Sequence, residues 1–590
     1  MPVVSATHML GANLLDRDTA EIRIWAPAAK QVRILFVGAT ESLPMRRDDD
    51  GIWSVQTRAH PGDQYFVIID DNKPIPDPVS RYLPQGIHGP TGIVDPDAYE
   101  WRDQNWRGLP LEQYIIYELH TGTFSPEGTF DGIVAKLEYL RDLGTTAIEL
   151  MPIAAFPGER NWGYDGVALY AVQASYGGPE GLKRLVDAAH ECGLAVILDV
   201  VYNHFGNEGN YLRQFGPYFT DKHKTPWGDA INYDQRGSEQ VRRFVVENAL
   251  YWIREYHLDG LRLDAVQTIR DDSAPHIAAE IKQNAEQLAQ ELGRTVCVIA
   301  ETDENDARYT RKPGGYGLDA IWSDDFHHAW HVFLTGEYKG YYQDFGRAEQ
   351  LLRALNEGFV FQGEQFNFWG RPRGTSSIGM ALPQHVVCLQ NHDQIGNRAL
   401  GERLGALVVQ AELFAPAAFL LLAPHTPLLF MGQEYDETAP FQFFTSYSDP
   451  MLQEAVRKGR REEFKDFDWD EVPDPEDPAT FQRSKLNWEL ALRGSNEMLK
   501  WYRDLIALRK KFVTPGPRTC RATWHGEGGI LRMDVPAEDP RVIVVANLRR
   551  KLYKQRWASV LAADDSFGRG WKQALCAEHD GYEVRVYERE

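Results

Sequence analysis

From about residue 112 to residue 430 the chain repeats one pattern some eight times: a short, almost continuous apolar run, then a longer segment with apolar residues at helical spacing. The runs lie at 114–120, 147–152, 195–201, 258–266, 296–301, 319–322, 386–389 and 427–430. Between them, 130–143 places Ile133, Leu137, Leu140 and Leu143 on one helical face and ends at Gly144. Segments 179–192, 238–257 and 275–292 are also expected helices. Strands that are apolar along their whole length are buried on both faces, which requires a parallel sheet covered by helices. About eight strand–helix units close such a sheet into a ring, with its chemistry where the strands end. The expected fold class is α/β, a (β/α)8 barrel of the TIM type.

The flanks read differently. In residues 1–98, segments 21–25 and 31–36 alternate apolar and polar residues, Pro27 separates them, and Asp50-Gly51 marks a hairpin. Short strands of this kind predict an immunoglobulin-like β-sandwich. The acidic run Asp48-Asp49-Asp50-Gly51 lacks the spaced ligands and closing Glu of a calcium loop, so it reads as a tight turn. Residues 71–110, dense in Pro and Gly, read as a connection. The barrel domain is expected over 99–513, with an elaborated loop at 435–485 and a sealing helix at 486–512. Strand-like segments 541–546 and 582–587 predict a small C-terminal β-sandwich over 514–590.

Several function classes are disfavoured. A net charge of −22 repels polyanions, so nucleic acid is not an expected partner. No apolar stretch approaches the roughly 18 residues needed to cross a bilayer, and the N-terminus lacks a basic start followed by an apolar run. No membrane partner is expected. Five scattered cysteines without a CxxC pair imply reduced thiols and a cytoplasmic protein. There is no GxSxG for a serine hydrolase. The Gly-rich Tyr176-Gly177-Gly178-Pro179-Glu180-Gly181 lacks the Lys-Ser/Thr ending of a phosphate loop. No cofactor is expected.

What remains is carboxylate chemistry. In 258–266 the period of two puts Gly260, Arg262 and Asp264 on one side and Leu261, Leu263 and Ala265 on the other. An internal ion pair would explain that strand alone. Three more strand ends also carry polar groups: Asp199 leading to Asn203 and His204, then Glu301, then Asn391-His392-Asp393-Gln394. Four such ends on one face of one ring point to a site. A metal centre is one reading, but Arg262 beside Asp264 competes with a cation at that carboxylate. Arg262 instead favours the charged form of Asp264. A charged carboxylate opposite a second carboxyl that keeps its proton suits glycoside hydrolysis.

The stretches Asp199-Val200-Val201-Tyr202-Asn203-His204, Gly260-Leu261-Arg262-Leu263-Asp264-Ala265, Glu301 and Asn391-His392-Asp393 resemble, in order and strand placement, the four signature regions of the α-amylase family of glycoside hydrolases. The resemblance implies Asp264 as nucleophile, Glu301 as general acid/base and Asp393 as the acid that stabilises the transition state. It further implies that His204, His392, Asn391 and Gln394 contact the reacting glucose, that Arg262 orients Asp264 with support from Asp199, and that Tyr164 lies under the sugar with Trp162 beside it. The N-terminal sandwich would be of the carbohydrate-binding kind. Three stretches are similar to the trehalohydrolase branch of that family: 117–130, Trp322-Ser323-Asp324-Asp325-Phe326-His327-His328, and Pro440-Phe441-Gln442-Phe443-Phe444. They imply a maltooligosyltrehalose or other α-1,4-glucan oligosaccharide substrate, with Asp324, Phe326, His327 and His328 as further contacts. Trp227 is another stacking candidate. Calcium is common in the wider family and Asn203 matches one usual ligand, but no metal site is assigned. The alternatives are a glycogen branching enzyme and a non-catalytic α-glucan-binding protein.

Overall fold

The structure, a computed structural model, describes residues 9–463, 472–494, 496–525, 529–548, 570–579 and 581–590. The first eight residues, on which the reading of the N-terminus rests, lie outside them.

Eight parallel strands close into one barrel: β1 (Ile116–Leu119), β2 (Ala147–Leu150), β3 (Ala195–Val200), β4 (Gly260–Leu263), β5 (Cys297–Ala300), β6 (Ala320–Trp322), β7 (His385–Cys388) and β8 (Thr426–Phe430). They pair in chain order, and β8 returns to β1. Side chains from alternate positions fill the lumen, among them Ile116, Ala147, Ile197, Ile299, Trp322 and Leu428.

Helices cover the outside of the ring. The segment expected as one helix at 130–143 is two, α1 (Phe130–Val134) and α2 (Leu137–Leu143), because Lys136 leaves the helical region at φ −117°, ψ 1°. The larger helices are α3 (Gly178–Glu191), α4 (Ser238–Glu255), α5 (Ile277–Leu292) and α6 (Asp324–Thr335). In α3, Leu182, Leu185, Val186 and Ala189 are buried, which is the one-sided spacing of a helix laid on a sheet.

Between Gly11 and Gly92 the chain forms two four-stranded sheets. The acidic run is a turn there: Asp48 Oδ1 accepts from the N–H groups of Asp50 (3.0 Å) and Ile52 (2.9 Å), and Gly51 has φ +80°. After the barrel, strands from Arg521 to Arg589 form one five-stranded antiparallel sheet. Among the described residues, helix Phe414–Leu422 packs against this sheet. Among the described residues no disulfide forms, and no helix is long and apolar enough to cross a membrane.

Candidate active site

Strand register builds the floor of the site. β1 to β4 send Ile116, Ala147 and Ile197 into the lumen beside Gly260. The residues two positions on point the same way: Glu118, Glu149, Asp199 and Arg262. All four are buried. Gly260 allows the ring to be this narrow, since a Cβ there would lie 2.9 Å from the Cys297 carbonyl oxygen and 3.4 Å from Ile197 Cγ1.

Arg262 is the hub of this layer. Its Nη1 donates to Asp199 Oδ2 (2.6 Å) and Asp264 Oδ1 (2.9 Å), while Nη2 lies 3.8 Å from Glu301 Oε2. The guanidinium rests 4.2 Å above the Trp322 ring. Asn203 donates to the other oxygen of Asp264 (2.6 Å) and to its backbone carbonyl (2.7 Å), so both carboxylate oxygens are held. Burial pushes the Asp199 carboxyl up to about 6, although Arg262 pulls it down. The arginine is raised well above its ordinary value: burial opposes the charge, and Asp199, Tyr164, Glu301 and Asp264 outweigh it.

Immediately after Asp264 the backbone turns sharply. Ala265 takes φ +40°, a left-handed conformation that costs a residue with a Cβ energy and recurs at functional sites. The turn aims its N–H at Glu301 Oε2, 2.5 Å away. Glu301 keeps 15 % of its side chain exposed, at the mouth of the barrel. Burial pushes its carboxyl well above the ordinary value; Arg262 opposes this, and the charges of Asp264, Asp324 and Asp393 add to it. Asp324, the first residue of α6, is itself pushed up to about 7 by burial and by Asp393. Asp264, Glu301, Asp324 and Asp393 therefore share one electrostatic neighbourhood.

Asp393 is exposed and lies in the first turn of a short helix, α7 (His392–Gly396). Asn391 caps that helix, accepting from the Gln394 N–H at 2.9 Å, and Asn397 Nδ2 reaches Asp393 Oδ1 at 2.5 Å. From the inserted region, α8 (Pro450–Glu463) sends Arg460 to the Gly396 carbonyl (2.8 Å) and Asn397 Oδ1 (3.3 Å), stacked 4.8 Å over Phe443. The insertion thus braces the loop that carries Asp393.

The remaining expected contacts divide. Tyr164 lies in the site: its hydroxyl is 2.6 Å from Asp199 Oδ2 and 2.8 Å from His392 Nε2. His204 touches Asn203 Oδ1 and the Tyr164 carbonyl, and stacks on Trp227, which is 47 % exposed. Trp162 is buried against Phe441 and Phe443, with its N–H on the Gln442 carbonyl, so it backs the site rather than facing it. Gln394 is buried as well. Phe326 and His327 correct the expectation. Phe326 is 0 % exposed and packs on Trp330 and His425. His327 uses both ring nitrogens internally, on the Leu389 carbonyl and Tyr342 Oη. His328 is buried against Tyr341 and Phe345. At about 100° per residue Asp324, His327 and His328 share a helix face and Phe326 does not, so it is burial of the two imidazoles, not helical phase, that withdraws them. Conversely, Glu118 and Glu149 belong to the floor although no motif in the sequence points to them. Their signal is a charged residue in the inward register of an apolar strand, the same signal that marks Asp199.

The family's calcium does not fit here. Asn203 spends its amide on Asp264 and His204. Among the described residues one cluster of three His, Cys, Asp or Glu side chains, His223, Asp234 and Asp272, has the spacing to hold an ion, and the Lys222 ammonium already lies 2.7 and 2.8 Å from the two acids.

The fold has relatives among known proteins. Residues 94–229 and 229–516 match the family "Alpha amylase, catalytic domain", and residues 9–83 match "Carbohydrate-binding module 48 (Isoamylase N-terminal domain)". A malto-oligosyltrehalose trehalohydrolase of Saccharolobus solfataricus is 47 % identical, covering 84 % of this chain and 86 % of its own. One from Arthrobacter ramosus is 46 % identical over 84 % and 88 %. The crystal structure of a "Putative alpha Amylase" from Salmonella typhimurium superposes with a TM-score of 0.88 at 39 % identity, covering 98 % of this chain and 99 % of that one. The chain belongs to the α-amylase family of glycoside hydrolases and, within it, to the malto-oligosyltrehalose trehalohydrolases.

Proposed function

We propose that this protein hydrolyses the α-1,4 bond joining trehalose to a maltooligosaccharide, with retention of anomeric configuration. Asp264 attacks the anomeric carbon of the glucose next to the trehalose. Glu301 gives its proton to the departing glucosyl oxygen, which leaves as part of free trehalose. A water then enters, Glu301 takes its proton, and the Asp264 ester is released. Asp393 holds hydroxyls of the same glucose, and Tyr164 lies beneath it.

The observation that carries this reading is the pairing of Asp264 and Glu301 through one guanidinium and the Ala265 N–H. One acid is fixed by Arg262 and Asn203, and the other is pushed toward its protonated form. That division of labour suits a retaining pair, whose carboxyls lie about 5–5.5 Å apart. The unpaired cysteines of the described residues support a reducing compartment such as the cytoplasm.

The test is incubation with maltotriosyltrehalose. Trehalose and maltotriose should appear, and early proton NMR should show the new reducing end as the α anomer. New α-1,6 branches made from amylose, without trehalose, would instead establish a branching enzyme. A first-formed β anomer would overturn retention.

A further inference from the structure

We infer that Glu118 is a positioning residue for this hydrolysis, holding His392 as an imidazolium at the end of a hydrogen-bond chain that runs to the nucleophile. The inference rests on the reading of Asp264 as nucleophile and adds a residue from the opposite wall of the barrel.

The geometry is a clamp. Glu118 Oε2 accepts the backbone N–H of His392 at 3.1 Å, and Oε1 meets Nδ1 of the same residue. Both side chains are buried. On its other edge, His392 Nε2 lies 2.8 Å from the Tyr164 hydroxyl. That hydroxyl is 2.6 Å from Asp199 Oδ2, the same oxygen that accepts from Arg262, which in turn donates to Asp264.

Counting donors sets the charge. Asp199 is paired with Arg262 and accepts, so the single proton of Tyr164 goes to Asp199. The tyrosine oxygen must then accept from His392 Nε2. Nδ1 must also carry a proton to meet the Glu118 carboxylate. A histidine that donates from both nitrogens is an imidazolium. A neutral His392 would leave either the Tyr164–Asp199 contact or the Glu118 contact without a proton.

The neighbours agree. Glu149 is the ladder partner of Glu118, and its two oxygens have no hydrogen-bond partner among the described groups. Burial pushes its carboxyl well up, and the Glu118 charge adds to this, so Glu149 stays neutral and does not compete for the imidazolium. Burial disfavours charge on His392, but Glu118 and then Asp393 outweigh both burial and the repulsion of Arg262, and the ring is raised above its ordinary value. Asp199 also faces the ring, and its charge and that of His392 favour one another. Buried His120 lies on the far side and is held neutral, lowered to about 4 by burial. Asp324 faces the thiol of Cys388, whose titration burial lifts out of range.

The experiment uses the full chain and compares wild type with Glu118→Gln and Glu118→Asp. Trehalose release from maltotriosyltrehalose is followed from pH 5 to 9, and His392 is titrated by NMR of labelled histidine, assigned with His392→Asn. Gln keeps the shape of the clamp and removes its charge. Expected are a kcat about tenfold lower near pH 7, little change in KM, and an alkaline limb about one pH unit lower, with part of the limb restored by Asp. Wild-type His392 should lose its proton only above 6.5, the ordinary histidine value. A Gln profile parallel to wild type, with only a lower urea midpoint, would make Glu118 a structural residue and overturn the proposal. So would a wild-type His392 that loses its proton below pH 6.5. The NMR titration needs no substrate, so it decides the point even if Glu118→Gln fails to fold or trehalose is not the product.

Discussion

Arg262 serves three acids with one guanidinium, and the consequences fall unevenly on them. Asp264 and Asp199 each take a direct hydrogen bond from Nη1, whereas Glu301 stands 3.8 Å from Nη2 and is surrounded by other carboxyls. The more weakly paired acid is thus the one that keeps a proton. Glu301→Gln removes the donor while preserving its hydrogen bond from Ala265. Trehalose release should fall about 10²–10⁴-fold, the usual contribution of a positioned acid. An aryl maltooligoside with an acidic phenol needs no proton to depart, so the same variant should give a burst of one phenol per active site and then turn over slowly. Equal losses on both substrates, with no burst, would remove Glu301 from the acid role. Asp324 tests the electrostatics separately. Its charge raises Glu301, so Asp324→Asn should move the alkaline limb of kcat/KM to lower pH. A limb that stays in place or moves up would mean that Asp324 does not act on Glu301.

At the level of strands and helices, the barrel is tightest at β4. Gly260→Ala would drive a methyl against the Cys297 carbonyl oxygen, and overpacking of this kind costs about 1–3 kcal/mol. The urea midpoint should drop with the slope unchanged; an unaltered midpoint would show that the ring can widen. The barrel strands are legible from sequence because burial on both faces demands uninterrupted apolar residues. Their acidic ends are legible because a charge there has no structural use. Glu118 and Glu149 escape notice for the converse reason: each is a single charge inside an apolar run, and only the register between neighbouring strands reveals that the two stand side by side in the barrel floor. The stretch 324–328 misleads in another way. Asp324 is a helix-entry residue facing the site, whereas Phe326 turns into the core and His327, one turn deeper on the face of Asp324, is buried with both ring nitrogens bonded inside. The break at Lys136 carries no Gly or Pro to announce it.

The molecule as a whole depends on ties between the barrel and the segments that wrap it, and one of these ties should make stability depend on pH. His190 in α3 lies wholly inside, with Nδ1 2.8 Å from Asp103 Oδ2 in the connecting segment and Nε2 2.9 Å from Asp259 Oδ2 just before β4. Two carboxylate partners require both ring nitrogens to donate. Burial lowers the histidine's affinity for its second proton, but Asp259 and Asp103 outweigh it and the value is raised above 6.5. Burial likewise pushes Asp259 up, yet His190 and Arg294 bring it below 3.8. The raised histidine contributes its full stability below its unfolded value and loses it as pH climbs through the folded one. The depressed acid contributes fully above 3.8 and loses it as pH falls through its folded value. Both contributions are complete only between about pH 4 and 6.5. His190→Ala takes one partner from each acid, but Asp103 keeps His257 and Asp259 keeps Arg294 and the Trp106 N–H, so the cost should fall below the about 3–5 kcal/mol of a buried charge left wholly unpaired. The gap in urea midpoint between wild type and variant should therefore be widest in that window and narrow on either side. A gap that stays constant from pH 5 to 9 would mean that His190 holds the wrapping segment by packing alone, without a charge.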